Sequence, residues 1–294
     1  MNGTSPNGTS PLRISAATAA ALATAVLVAG CGSEDASGSA GDGSRGDVDP
    51  AAQLYRVQAT VLENGEHGPQ LCRTLAESMP PQCGGPDIVG WEWDDVRAHR
   101  ARGTTYTDQL ELVGTWDGER FTPAEKPKPA GDGAGPGGPE PAADFDTPCA
   151  ELKDGGGADG GKDAARDEAG RQRLLDEAAK MPGYAGSWLD GGIVNIRFAE
   201  AGDGGGPGTA ERELRDVWDG PLCVVGAEHT EEELVRVQKR LDKEVEGVLT
   251  SGVDPVRNAV ELEVVAATPE LRRELDRTYG EDTVRLTGWL QPVA

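Results

Sequence analysis

Nucleophilic catalysis requires an activated serine, threonine or cysteine beside a base, and the chain has only three histidines to serve as that base. His67 follows an Asn-Gly turn, His99 lies in an arginine-rich run, and His229 precedes a predicted helix. No Gly-x-Ser-x-Gly elbow accompanies any of them. The sequence therefore predicts no catalytic constellation, and we expect a protein that is not an enzyme.

Aromatic and acidic side chains alternate most closely between Trp91 and Asp95. Trp91 and Trp93 are followed by Asp94 and Asp95, a combination that carbohydrate sites use. The alternative is that both tryptophans share one face and fill a small core, because large aromatic side chains dominate core packing. We favour the core interpretation and keep a glycan-binding or glycan-hydrolysing site as a second hypothesis.

Residues 1–30 have the character of an export signal rather than of a folded element. Arg13 supplies a positive charge, and an apolar stretch rich in Ala, Leu and Val runs from Ile14 to Ala29. That stretch contains Ser15, Thr18 and Thr24 and is short for a membrane-spanning helix, which needs about 20 predominantly apolar residues. We predict a cleaved signal peptide.

The end of this segment, Val28-Ala29-Gly30-Cys31, resembles the lipobox of bacterial prolipoproteins. The resemblance implies cleavage before Cys31, acylation of its thiol with fatty acids such as palmitate, and residence at the extracytoplasmic face of the cell membrane. The alternative is an ordinary secretory signal followed by a chance cysteine. Residues 31–52, rich in Gly, Ser and Asp, then form a disordered tether.

Four cysteines remain, at positions 72, 83, 149 and 223, and an even number in an oxidising compartment predicts disulfides. Four cysteines allow three pairings. We favour Cys72 with Cys83, because the proline-rich loop between them has little core of its own, and Cys149 with Cys223 by elimination. A metal site is the alternative, although no Cys-x-x-Cys spacing or neighbouring histidine supports it.

The formal net charge of −23, from 51 acidic and 28 basic residues, disfavours nucleic acid as a partner. The one short basic run, Arg97, His99, Arg100 and Arg102, is interpreted as a solvated loop. A protein this acidic is also repelled by anionic lipid headgroups. We therefore expect it to need the lipid anchor to stay at the membrane. The glycine-rich stretches lack phosphate-loop and calcium-loop spacing, and we predict no cofactor and no metal.

The remaining chain predicts an α+β protein with two folded parts. Residues 53–122 show alternating apolar positions and Asn-Gly and Asp-Gly turns, which indicate a small β domain, with a barrel as a candidate arrangement. Residues 123–163 are rich in Pro, Gly, Ala and charged residues and are predicted as linker, with Phe145 and Cys149 as candidates for pinning to a folded part.

Residues 164–294 alternate strand and helix signals in the order β-α-β-α-β-α-β, and we expect helices packed on one sheet. The strongest helix signal begins at Thr230, because Glu233 completes a capping box. A further helix begins at Thr268-Pro269 and ends at Gly280.

Two stretches of this part resemble the pro-domain of streptogrisin-type secreted serine proteases. They are Tyr184-Ala185-Gly186-Ser187-Trp188-Leu189-Asp190 and Gly252-Val253-Asp254 leading into Arg257-Asn258-Ala259-Val260. The resemblance implies pairing with a secreted protease, but no protease domain follows in the sequence. The whole chain is also similar to uncharacterised lipoproteins of GC-rich bacteria, on Pro80-Pro81-Gln82-Cys83-Gly84-Gly85-Pro86 and the nearby Trp-Glu-Trp-Asp.

Three functions follow as hypotheses. The first is a membrane-anchored, non-enzymatic binding protein of the cell envelope, whose partner is a secreted protease or another envelope protein. The second is a wall-glycan hydrolase or binding protein that uses Trp91, Trp93, Asp94 and Asp95. The third is capture of a cation by the acidic surface.

Overall fold

The computed structural model describes residues 53–131, 144–153, 167–200 and 205–293, which have an α+β fold. The predicted signal peptide, the tether and Cys31 lie outside these residues. All described residues belong to one compact unit, Ser44–Ala294.

Eight strands come first in the chain. They are β1 (Leu54–Glu63), β2 (Gln70–Cys72), β3 (Asp87–Ile88), β4 (Ala98–Ala101), β5 (Thr104–Thr107), β6 (Leu110–Trp116), β7 (Arg120–Pro123) and β8 (Lys128–Pro129). A short 3₁₀ turn, Trp93–Asp95, lies between β3 and β4. Strand β8 and the start of the next helix fall inside the segment predicted as linker.

Five of these strands, β1, β2, β3, β7 and β6, pair in a closed ring and form a small barrel. Strand β1 pairs with β2 and with β6, β2 pairs with β3, β3 runs parallel to β7, and β7 returns to β6. The apolar positions Val57, Ala59 and Val61 alternate along β1 and are fully buried inside it. The predicted period-2 pattern therefore sets which face of β1 lines the barrel.

In the described residues after β8, the structure has five helices and six strands. They are α1 (Ala150–Lys153), α2 (Glu168–Ala178), β9 (Tyr184–Asp190), β10 (Ile193–Ala199), α3 (Pro207–Arg215), β11 (Leu222–Ala227), α4 (Glu231–Glu244), β12 (Val248–Asp254), β13 (Ala259–Ala266), α5 (Pro269–Tyr279) and β14 (Val284–Pro292).

After α1, these elements repeat one arrangement twice, as helix, antiparallel hairpin, helix and parallel strand. In the first repeat β9 and β10 form the hairpin and β11 lies parallel to β10. In the second, β12 and β13 form the hairpin and β14 lies parallel to β13. The crossing helices α3 and α5 both begin at a proline, whose missing N–H is harmless there.

The two repeats lie in separate sheets, whereas the sequence predicts one. The first sheet has the order β11-β10-β9, and the second joins the barrel sheet through β14. The physical reason lies on β10, whose two faces are both covered. Helices α2 and α3 pack on one face, while Arg197 on the other donates from Nε to the carbonyl of Pro255 (2.9 Å) and from Nη2 to that of Val256 (2.7 Å). The β12–β13 turn thus meets the face of the first sheet and not its edge.

Helix α4 has the capping box that its sequence predicts. The Thr230 hydroxyl accepts from the backbone N–H of Glu233, and the Glu233 carboxylate accepts from the backbone N–H of Thr230. Leu234 and Leu241 are buried against β13 and β14. Helix α5 ends at Gly280, whose φ of 96° lies in the left-handed region.

Strand β14 connects the second repeat to the barrel. It pairs antiparallel with the start of β1, Tyr55 opposite Pro292 and Arg56 opposite Gln291. Leu290 and Val265 of the second repeat belong to the barrel's apolar core. The division at residues 53–122 and 164–294 stays a prediction, and strand pairing crosses it.

Candidate functional site

The predicted lipid attachment site, Cys31, lies outside the described residues. The other four cysteines form two disulfides, Cys72–Cys83 and Cys149–Cys223, with Cα–Cα distances of 5.8 and 5.9 Å. These are the pairs that the sequence favours. Two disulfides fit an extracytoplasmic location, because thiols stay reduced in the cytosol.

The second disulfide holds residues 144–149 against the first sheet. Cys223 on β11 is almost fully buried beneath this segment. The indole Nε1 of Trp188 donates to the carbonyl of Phe145 (3.1 Å), and the backbone N–H of Thr147 donates to the carboxylate of Asp190 (2.8 Å). Residues from the segment predicted as linker thus form part of the folded structure.

Trp91 and Trp93 pack against the barrel core, in line with the core interpretation. Their rings meet edge to face, with centroids 5.7 Å apart. Both are partly buried against the barrel's apolar cluster, and the indole Nε1 of Trp93 donates to the carboxylate of Glu63 at the end of β1. The two tryptophans therefore cover part of the barrel's apolar core.

Asp94 and Asp95, the acidic half of that cluster, are exposed on the 3₁₀ turn. Asp95 forms an ion pair with Lys126 at 2.9 Å. The structure brings the four predicted residues together on and beside one short turn.

Each of the three histidines contacts a polar side chain near it in the fold. Nε2 of His67 accepts from the amide of Asn64, and Nε2 of His99 lies 3.0 Å from the Asp108 carboxylate. His229 contacts a hydroxyl, that of Thr283, at 3.2 Å. That hydroxyl donates to the carbonyl of Tyr279 (2.9 Å), so its proton is already engaged away from the imidazole.

The basic run forms a hairpin and not the predicted loop. Strands β4 and β5 pair with His99 opposite Tyr106, and these rings stack at 5.3 Å. The turn between the strands is Arg102-Gly103, with positive φ at both residues, the geometry of a two-residue hairpin. Strand β4 contains no buried side chain, so its sequence carries no period-2 burial signal.

A groove lies between α4 and the end of α5. It has a volume of about 490 Å³ and is lined by His229, Glu233, Arg236, Val237, Arg240 and Tyr279 among others. From the sequence, His229 is considered only as a candidate base and Glu233 only as the capping-box residue of the predicted helix. The spacing of positions 233, 236, 237 and 240 along one helical stripe is the signal that could have found it.

The groove contains two arginines, Arg236 and Arg240, and one carboxylate, that of Glu233. The backbone N–H of Thr230 is the main cause that lowers the pKa of Glu233, and the charges of His229 and Arg236 act in the same direction. Arg236 and Arg240 bring two guanidinium groups to a chain whose net charge is strongly negative. The groove can therefore hold an anion although the protein as a whole is acidic.

Among the described residues, no three histidine, cysteine or acidic side chains are grouped as a metal site would require. None of the helices in those residues has the length and apolarity needed to cross a bilayer. A scan against protein-family models and a search of curated proteins found no match to the chain.

Proposed function

We propose that the chain is an exported lipoprotein, anchored through Cys31 at the extracytoplasmic face of the membrane, that acts as a non-enzymatic binding protein. The two disulfides support an extracytoplasmic protein. The Thr283 hydroxyl beside His229 already donates its proton to a backbone carbonyl, which favours binding over catalysis.

The observation that carries the binding role is the outer edge of β11. In the second repeat the equivalent strand, β14, accepts β1 on its outer edge. In the first repeat no strand of the described chain pairs with the outer edge of β11. An open edge accepts an added strand through main-chain hydrogen bonds, a common mode of peptide recognition.

Backbone direction identifies Val224 as the residue that offers this edge. The N–H of Val194 donates to the carbonyl of Pro221 (2.9 Å), so Cys223 and Val225 also direct their backbone groups towards β10. Val224 then directs its N–H and carbonyl outwards. The neighbouring outward carbonyls of Leu222 and Gly226 already accept from arginine side chains.

The pro-domain resemblance suggests a secreted protease as the partner, with this sheet acting as its chaperone or inhibitor. The test is capture from culture medium with the full chain, followed by identification of bound proteases. Val224→Pro removes the outward N–H, and we expect it to lose the partner. Val224→Thr changes the side chain and keeps the N–H, so capture persists.

If no protease is recovered in any growth phase, the proposal of a protease partner is contradicted. Equal capture by the proline variant would place the contact elsewhere on the protein. The anchor is tested separately with Cys31→Ala, which should leave the membrane fraction and take up no labelled fatty acid. An unlabelled natural protein would contradict the lipid anchor.

A further inference from the structure

The groove between α4 and α5 is not used by the strand-pairing proposal. Positions 233, 236, 237 and 240 form one stripe along α4, because residues three and four apart on a helix are neighbours. This stripe faces Tyr279, at the end of α5, and Thr283, the residue before β14. The groove therefore has walls from two helices that both pack on the core of the second repeat.

Two guanidinium groups line this groove. Arg236 forms no hydrogen bond or ion pair with any residue that the structure describes. Arg240 lies 3.6 Å from Glu244, but both side chains are more than half exposed, so this pair is worth little. Arginine presents a planar fork that matches a carboxylate. The pair is therefore available to an anionic ligand.

The floor beneath these arginines is apolar. Leu234 is almost fully buried, and Val237 and Tyr279 pack beside it on the second repeat's core. A volume of about 490 Å³ accommodates one apolar side chain with its backbone. A ligand that fills the groove thus needs an apolar part close to its anionic group.

Glu233 supplies an acceptor at the rim of the groove. One of its carboxylate oxygens, Oε2, accepts from the backbone N–H of Thr230 at 2.9 Å. The other oxygen remains for a ligand N–H donor. A negative charge here also repels a dianion such as phosphate, which has neither an apolar part nor an N–H.

We propose that this groove binds the free C-terminus of a peptide whose last side chain is apolar. The terminal carboxylate contacts Arg236 and Arg240, the last side chain packs on Val237 and Tyr279, and the last amide N–H donates to Glu233. A C-terminal residue carries these three groups on adjacent atoms. An internal aspartate or glutamate has a polar side chain in place of the apolar one.

The test is calorimetric titration of the full chain in detergent at low salt with acetyl-Ala-Ala-Leu, compared with the same peptide amidated at its C-terminus. Amidation removes the negative charge and should weaken binding by on the order of tenfold, the effect expected from losing charge-assisted hydrogen bonds. Arg236→Gln with Arg240→Gln should weaken binding of the free acid to a similar extent.

A matched control is available on the same helix. Lys239→Gln with Lys243→Gln removes the same charge, and neither lysine lines the groove. This variant should bind the free acid within about twofold of the natural protein, since screening reduces distant surface charges. Urea unfolding of both variants verifies that they fold.

Absence of binding by the free acid at millimolar concentration would overturn the inference. Equal binding of acid and amide, or equal losses in the arginine and lysine variants, would do the same. These outcomes are independent of capture by β11, which Val224→Pro tests. A protein that captures no protease and still prefers the free acid keeps this site and loses that partner.

Discussion

The side-chain amide of Asn258 holds the backbone of His229. Nδ2 of Asn258 donates to the His229 carbonyl (2.8 Å), and Oδ1 accepts from the backbone N–H of His229 and from that of Glu228, both at 2.9 Å. Asn258 itself has a φ of 53°, in the left-handed region. The turn between β12 and β13 thereby fixes the residue that leads into α4 and lines the groove.

Replacement of Asn258 by alanine should lower the free energy of unfolding by about 2–4 kcal/mol. Hydrogen bonds to buried backbone groups are lost, and alanine adds the cost of a left-handed backbone. Asn258→Gly loses the same hydrogen bonds without that backbone cost, so it should be about 1 kcal/mol more stable than the alanine variant. Urea unfolding measures both. Equal stabilities would show that the backbone carries no strain here.

The two disulfides should differ in their contribution to stability. Cys149 and Cys223 are 74 residues apart in sequence, whereas Cys72 and Cys83 are 11 apart. In the chain-entropy account, closing the longer loop stabilises by roughly 1.5–2 kcal/mol more. Double serine variants of each pair, compared by urea unfolding without reductant, give the difference. A larger loss from the shorter loop would contradict the entropic account.

The Trp91–Asp95 turn should respond to substitution as a core element. Trp93→Ala leaves a cavity and removes the hydrogen bond to Glu63, and we expect a loss of about 2–4 kcal/mol on urea unfolding. Asp94→Asn with Asp95→Asn should change stability by less than about 1 kcal/mol, since the Lys126 ion pair is at the surface.

The same aspartate variant tests the glycan hypothesis. Binding to purified wall polymer, and release of reducing sugar from it, should be unchanged from the natural protein. Loss of either property in the Asn variant, with normal unfolding, would favour a glycan site at this turn.

Acid should weaken the start of α4 through Glu233. Its pKa is lowered in the folded protein by the Thr230 N–H, so its stabilisation is present above the unfolded pKa of about 4.3 and is lost as the pH falls through the folded pKa. Glu233→Gln lacks this titration. Its urea midpoint should therefore fall less than that of the natural protein below about pH 5. Parallel curves would show that Glu233 makes no pH-dependent contribution.

Local patterns predict the elements whose burial follows a simple period. The alternation of β1, the Thr230–Glu233 capping box and the proline at the start of α5 are all readable, because each depends on neighbours within a few residues. The two sheets are not readable in this way. They depend on Arg197 meeting carbonyls of the Pro255–Val256 turn, nearly 60 residues away.

The repeat itself left a sequence signal. Strands β9 and β12 have seven residues each and both end in aspartate, Asp190 and Asp254. Asp190 accepts from the backbone of Thr147, and Asp254 accepts from the backbone of Val256. For the groove, the spacing along α4 indicates one wall only, since Arg236 and Tyr279 line the same groove only once α4 and α5 pack together.

Pairing of β1 with β14 has a consequence for the order of folding. Trp289 donates to the carbonyl of Gln58, a partner 231 residues earlier in the chain. During synthesis or translocation, β1 emerges long before the strand that completes its neighbourhood. The backbone groups of β1 that pair with β14, at Tyr55 and Arg56, stay unpaired until residues around 290 have been made. A chain stalled before that point presents this edge to proteases and to other nascent chains.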